Sequence, residues 1–357
     1  MKILSINPGG LSTKIGLFEN TTPIFTMDIQ HTEEELKDLI DVKQQFEFRK
    51  KVIIDKLKEK SVDIKDIEAF VGRGGLFKRR LKAGTYEVNE TMVEDILSGN
   101  IFGDHPSNLG CLIAYSLAKE ANGKKAFIVD PISIDEFIDE ARISGFPGIE
   151  RISLVHALNV RATSFKLAKK LNRSFYDLNL VVSHLGSGFS IAAIRKGKII
   201  DVNNANDGGP FSPQRSGSIP VTQLVDVAFS GKYKNAGELK RTITKKSGVY
   251  GYLGTYNLIE VEEKINSGDK YAKLILDAMI YQIAKEIGAM SAVLDGEVDG
   301  IILTGGVAKS NYVVKNLEKK IKWIAPIYHY PGENELESLA MGAYRVLSGE
   351  EKAKIYE

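Results

Sequence analysis

A single cysteine, Cys111, is present in 357 residues, so no disulfide can form within the chain, a composition that suits a reducing cytoplasm. No stretch approaches the ~20 apolar residues that a membrane-spanning helix needs. The start, MKILSINPGG, has too short an apolar run for a secretory leader. Neither sign of charge prevails: 48 Lys and Arg stand against 46 Asp and Glu, well interspersed. That balance argues against a general binder of nucleic acid or of membrane surfaces. The histidines, His31, His105, His156, His184 and His329, form no i,i+4 pair and have no cysteine partner, which argues against zinc. Any metal is expected to be an oxygen-liganded Mg²⁺.

The chain exceeds the ~250–300 residues that one hydrophobic core organises, so two domains are expected, with the site in a cleft between them. Hydrophobic residues make up 43% and charged residues 26%, as in ordinary globular enzymes. Near the start, INPGGLSTKIGLF reads as a hairpin, with strands over Ile3–Asn7 and Ser12–Phe18 around a Pro-Gly-Gly bend. Alternation puts Ser12 and Lys14 on one face and Thr13, Ile15 and Leu17 on the other. The polar face and the glycine loop suit a phosphate cradle; taken alone, the segment reads equally as a solvated edge hairpin whose lysine blunts the edge.

The remaining half-chain continues with charged surface helices (HTEEELKDLIDVKQQFEFRKKVIIDKLKEK), a strand in IEAFVGRGG, a turn and strand in FKRRLKAGTYEVN, a helix in HPSNLGCLIAYSLAKEA that buries Cys111, and the strand KAFIVDP. The second half repeats this order. A three-stranded meander over Leu180–Asn203 bends at Gly-Ser-Gly, followed by the helix DKYAKLILDAMIYQIAKEIGAMSAVL, the strand VDGIILTGG and a terminal helix NELESLAMGAYRVLSG. Two glycine hairpins half a chain apart imply duplicated α/β domains. FKRRLK lacks interleaved aromatics and is read as a solvated face or an anion-attracting rim.

Several residues can carry chemistry. Arg73 stands between glycines after a strand, and Arg215 lies in DGGPFSPQRSGSIP, a loop stiffened by proline. Arg73 is also a possible surface arginine in a turn; the two together, on opposite halves, suit a carboxylate or doubly charged substrate, which guanidinium grips as a fork. His184 ends a buried strand before Gly186 and Gly188, where it is either a satisfied core histidine or a donor to a transferring phosphoryl group. His156, with Leu154, Leu158 and Val160 nearby on a helix face, reads as structural or as lining a substrate pocket. Asp130 ends another strand, placed for Mg²⁺ or as the cap of a following helix. Gly305 and Gly306 permit close approach of a nucleotide. Glu333 and Glu335 precede the last helix, as magnesium ligands or as partners of its dipole.

In order along essentially the whole chain, INPGGLSTK, GRGG, VDP, SHLGSG, NDGGPFSPQRSGSIP, ILTGGVAKSN and PGENELESLAMGA resemble the acetate kinase family of the actin and hexokinase-like superfamily, and most closely its butyrate kinase branch. The resemblance implies an α/β fold of two duplicated ribonuclease H-like (actin-like) domains with a central cleft. Residues 1–150 would form the first domain, completed by the helix 335–357, and 151–334 the second, nucleotide-binding domain. It implies reversible phosphoryl transfer from ATP to a short-chain fatty acid, giving ADP and an acyl phosphate. By that analogy Arg73, Arg215, His184 and Asp130 are catalytic and Arg73, Arg215 and His156 bind the acid. Asn7, Ser12, Lys14, Gly186, Gly188, Asn257, Gly305 and Gly306 hold the nucleotide, and Asp130 with Glu333 or Glu335 holds Mg²⁺. The first loop departs from the family's serine-rich form. Acetate, propionate and isobutyrate are alternative acids; an actin-like nucleotide-binding regulator and a sugar kinase are alternative classes. A homo-oligomer in the cytoplasm is expected, with no nucleic acid or membrane partner.

Overall fold

In the computed structural model, which describes every residue except 40, 42 and 43, the chain divides into two compact units, Met1–Asp135 with Asn334–Glu357, and Glu136–Glu333. The undescribed positions fall within the charged stretch expected to form surface helices.

The first unit contains β1 (Lys2–Pro8), β2 (Ser12–Glu19), β3 (Thr22–Gln30), α1 (Glu33–Leu36), α2 (Gln45–Glu59), β4 (Ala69–Arg73), β5 (Thr85–Glu87), α3 (Glu90–Ser98), α4 (Ser107–Glu120) and β6 (Lys125–Val129). The second contains α5 (Asp139–Arg142), α6 (Ala157–Leu171), β7 (Asn179–Leu185), β8 (Phe189–Arg195), β9 (Lys198–Val202), α7 (Val221–Phe229), α8 (Ala236–Lys245), α9 (Gly248–Leu253), α10 (Leu258–Asn266), α11 (Lys270–Val293), β10 (Gly300–Gly305), α12 (Asn311–Ile321) and β11 (Ile327–Pro331). The last helix, α13 (Glu335–Leu347), returns to the first unit.

The two sheets share one plan. The first has the order β3-β2-β1-β4-β6-β5 and the second, read from its other edge, β9-β8-β7-β10-β11. In each, an antiparallel meander is continued by two parallel strands; β5 is an extra antiparallel edge on the first. The duplication expected from the glycine hairpins is therefore real at the level of topology. The central strands are mostly apolar because both faces are covered, with polar residues such as Asn7 and His184 towards their ends. Ile3, Leu4, Ile6, Phe70, Phe127 and Ile128 are buried in one sheet, and Val181, Ile191, Ile301 and Leu303 in the other. Each such side chain contributes about 1.5–3 kcal/mol relative to exposure.

Two strands were not apparent in the sequence. β3 is an edge strand whose Phe25, Met27 and Ile29 are only half-buried, and Pro23 stands at its start, where an edge tolerates a missing N–H. β11 is likewise an edge, half-exposed along its length. Edge strands carry a diluted apolar signal.

Each sheet is covered by a helix of its own unit that, in chain order, comes after the last strand of the other sheet. α6 follows β6 in sequence and packs on β7 and β10, whereas α13 follows β11 and packs on β1, β4 and β6. In the first unit α4 crosses β4 at backbone distance: a Cβ on Gly72 would lie 2.0 Å from Gly110 O, and one on Gly110 2.6 Å from Arg73 O. Only glycines allow this approach, and it fixes the strand end that carries Arg73.

Candidate active site

The first unit gathers Asn7 and Arg73, two of its candidate site residues, at the C-terminal ends of β1 and β4. Parallel pairing brings Ile6 opposite Gly72, so Asn7 and Arg73 emerge side by side. Arg73 Nη1 is 2.6 Å from Glu335 Oε1 and donates at 3.4 Å to Asn7 Oδ1, while Asn7 Nδ2 donates to Glu335 Oε2. All three are largely buried, and Arg73 Nε has no hydrogen-bond acceptor among the described residues. The first residue of α13 thus supplies the carboxylate that orients Arg73. Lys14 lies opposite Asn7 across the hairpin, exposed, its ammonium without a hydrogen bond or ion pair among the described residues. Ser12 shares its face; Thr13 and Ile15, on the other, are buried, as the alternation requires.

Asp130 follows β6 in a left-handed conformation, φ 42°, and is buried. Its Oδ1 accepts from Gly84 N–H at 2.8 Å, and its own N–H donates to Gly84 O at 3.0 Å. No helix begins there, so the capping alternative for Asp130 is set aside: residues 131–138 run on as turn and loop until α5.

The second unit places His184 on β7, buried, with Nδ1 3.0 Å from Asn159 Oδ1. Asn159 Nδ2 donates to Gly332 O at 3.4 Å, which orients the amide with its oxygen towards His184 and puts a hydrogen on Nδ1; Thr304 Oγ1 lies 3.0 Å from the same oxygen. Nε2 lies 3.1 Å from Glu333 Oε1, yet without the angle of a hydrogen bond. The His156 ring stacks on His184, centroids 4.0 Å apart and planes at 15°, and its Nδ1 lies 2.8 Å from Ser190 Oγ. Its apolar neighbours suggested a helix face, but His156 stands just before the first residue of α6, with no capping hydrogen bond from its side chain. The two histidines form one pair.

Arg215 lies across the Gly-Ser-Gly bend between β7 and β8. A Cβ on Gly188 would stand 2.5 Å from Arg215 Cζ, so the guanidinium rests against the bare backbone there. Ser212 ties the two loops together: its Oγ donates to Ser187 O at 2.6 Å and accepts from Arg215 N–H at 3.1 Å. Arg215 Nη1 donates to Asn206 Oδ1 at 2.8 Å, and no carboxylate pairs with it among the described residues. Burial lowers its pKa from the usual guanidinium value. Gly186 is the other glycine of the bend, where a Cβ would approach His184 Nε2 to 3.0 Å.

Gly305 ends β10 with N–H and C=O both bonded to Gly332, at 3.2 and 2.9 Å, and the space beside Gly306 is open. Asn257 caps α10, its Oδ1 accepting from Ile259 N–H at 3.1 Å and its Nδ2 donating to Glu260 at 3.0 Å. The same helix reaches the Gly305–Gly306 loop through Glu262, which accepts from Ser310 Oγ at 2.6 Å.

The two glutamates that the sequence left unranked are thus separated: Glu335 serves Arg73 and Asn7 in the first unit, and Glu333 stands by His184 in the second. Asn206, Ser212 and Asn159 were not anticipated. Asn206 and Asn159 lay in plain view within NNANDGG and HALNVRA, but only the tertiary fold gives them arginine and histidine partners. Among the described residues no three acids, histidines or cysteines cluster into a metal-binding group. Among the same described residues, no helix is long and apolar enough to cross a membrane.

A model described as the acetokinase family matches residues 150–342. Butyrate kinase 2 of Clostridium acetobutylicum is 49% identical over 357 residues, which cover 100% of this chain and 99% of the relative. A probable butyrate kinase of Clostridium botulinum is also 49% identical, with 99% of each chain covered. Among solved structures, an acetate kinase from Porphyromonas gingivalis has a TM-score of 0.77 at 20% identity, covering 98% of this chain and 100% of that one. A propionate kinase from Francisella tularensis has 0.73 at 17%, covering 95% and 98%. At such identities the structural likeness is one of fold.

Proposed function

The chain belongs to the acetokinase family, and from that premise we propose that it transfers the γ-phosphoryl group of ATP to a short-chain carboxylate, butanoate foremost, giving ADP and butanoyl phosphate reversibly. The observation that carries this reading is Arg215: a guanidinium fixed over a glycine bend, held by one amide oxygen and compensated by no carboxylate among the described residues. Such a group is ready for an anion.

Butanoate is ionised at neutral pH, since carboxylic acids titrate near 4, and needs no general base. One of its oxygens attacks the γ-phosphorus in line, a P–O bond forms, the bond to the β–γ bridging oxygen breaks, and ADP leaves with that electron pair. The protein's task is alignment and dispersal of charge. In this reading Arg215 and Arg73 grip the carboxylate and the phosphoryl group. His184, with His156 stacked behind it, faces the phosphoryl oxygens or the acid. Asn7, Ser12 and Lys14 attend the γ-phosphate, Gly186 and Gly188 the phosphate chain, and Gly305, Gly306 and Asn257 the adenosine.

Mg²⁺ would fit as an ion taking much of its coordination from phosphate and water, since among the described residues the acids stand singly rather than in a cluster. Asp130 and either Glu333 or Glu335 would complete it. Each glutamate already faces a basic neighbour, His184 or Arg73, with which the ion would compete. When bound, the ion neutralises phosphate charge. The protein is further proposed to be a cytoplasmic homo-oligomer.

The test is acyl phosphate formation, trapped as the hydroxamate, with ATP, Mg²⁺ and acids from formate to hexanoate plus isobutyrate. A maximum at butanoate supports the reading. A maximum at acetate, propionate or isobutyrate moves the substrate, and ADP release with glucose or with no acceptor overturns the carboxylate assignment.

A further inference from the structure

α2 carries a buried stripe, Arg49, Ile53 and Leu57, spaced by four residues. The two apolar members are ordinary core, but Arg49 is fully buried with no acidic partner among the described residues. All five of its N–H donors are used. Nη1 donates to Ser12 O at 2.7 Å and Thr13 Oγ1 at 2.9 Å; Nη2 donates to Gly10 O at 2.7 Å and Gln45 Oε1 at 2.8 Å; Nε donates to Gln45 Oε1 at 3.1 Å. The cation has therefore spent its valence on the underside of the Pro-Gly-Gly loop. Leu11 O is taken as well, by His31 N–H at 2.8 Å, and His31 Nε2 lies 2.8 Å from Thr13 Oγ1.

A trans peptide is planar, with its C=O and N–H on opposite sides. Turning the Gly10 carbonyl towards Arg49 therefore turns the Leu11 N–H away from it, and that N–H has no acceptor among the described residues. The buried positive charge at the carbonyl end of this peptide makes its other end a better donor to an anion. Neutralising a buried guanidinium with a nearby carboxylate would be the usual solution; here the charge is left to face the loop.

We propose that Arg49 is a positioning residue for the nucleotide's terminal phosphate: it holds the first glycine loop with its carbonyls inward and the Leu11 N–H directed outward, and lends the loop its charge. The inference rests on the kinase reading above, in which this loop meets the γ-phosphate.

The test compares the affinity of the full-length protein, by calorimetry, for a non-hydrolysable ATP analogue and for ADP, each with Mg²⁺. Arg49→Lys keeps the charge and loses the fork; it is expected to weaken the ATP analogue about tenfold while ADP stays within twofold and the KM for butanoate is unchanged. A merely structural arginine would lower the melting temperature and leave the ratio of the two affinities as in the parent, which overturns the proposal, as does equal weakening of both nucleotides. Should Arg49→Lys fail to fold, Gln45→Leu, which frees the guanidinium from its side-chain acceptor, is expected to weaken the ATP analogue selectively by about threefold, and an unchanged ratio again overturns it. The binding ratio needs no acid substrate, so a parent protein that binds ATP yet forms no acyl phosphate refutes the kinase reading separately.

Discussion

At Gly188 there is no room for a side chain, because Arg215 already occupies the space a Cβ would fill. The glycine and the arginine therefore act together, and substitutions at each should agree. Arg215→Ala is expected to reduce turnover by more than about a hundredfold, the usual scale for loss of a group that stabilises transition-state charge. Gly188→Ala, which pushes the guanidinium aside rather than deleting it, is expected to cost about as much, since a displacement near 1 Å suffices for that loss. Both variants should melt close to the parent, and steady-state kinetics with thermal unfolding reads the two effects apart. Arg73 and His184 were visible in the sequence because they stand by glycines at strand ends, and Arg215 because it lies in a loop stiffened by proline. Arg49 was not: within QFEFRKK it is one more charge on a charged helix, and only its register with Ile53 and Leu57 turns it inward.

Between elements, buried charge ties the C-terminal tail to the first unit. Tyr356 is buried, its OH donating to Asp95 Oδ2 on α3 at 2.7 Å, and Arg79 Nε reaches the same oxygen at 2.8 Å. Burial would raise the Asp95 pKa, but hydrogen bonds from Arg79, Asn100 and Tyr356 outweigh it and hold the carboxyl at about 2. A carboxyl depressed in the folded state, against about 3.9 unfolded, stabilises fully above its unfolded pKa and loses that stabilisation as pH falls towards 2. Asp95→Asn is thus expected to flatten the pH dependence of melting between about pH 4 and 2 relative to the parent. An equally steep acid limb in the variant would show that other groups set it. The basic run FKRRLK, read as solvated or anion-attracting, is in part this anchor: Arg79 is committed to Asp95.

For the whole molecule, chain order and unit membership diverge. The first unit is closed by α13, which the chain supplies only after the second unit is complete. Ending the chain at Glu333 should leave β1, β4 and β6 uncovered on one face, with Leu339, Ala340 and Ala343 missing from the core and Arg73 deprived of Glu335. Hydrogen exchange is expected to show the first sheet exchanging freely in such a truncation while β7, β8 and β10 stay protected. Protection of both sheets would mean that α13 is dispensable to the fold.

The sequence by itself determined the duplicated α/β plan, the glycine bends and the strand-end residues, because alternation, helical spacing and glycine punctuation are local signals. Tertiary structure decided the rest. It parted Glu333 from Glu335, two residues apart, sending one to His184 and the other to Arg73; it stacked His156 on His184; and it seated Arg49 beneath the first loop. Each of these depends on backbone carbonyls and side chains brought together from distant parts of the chain, and a distance between remote segments leaves no periodicity to read.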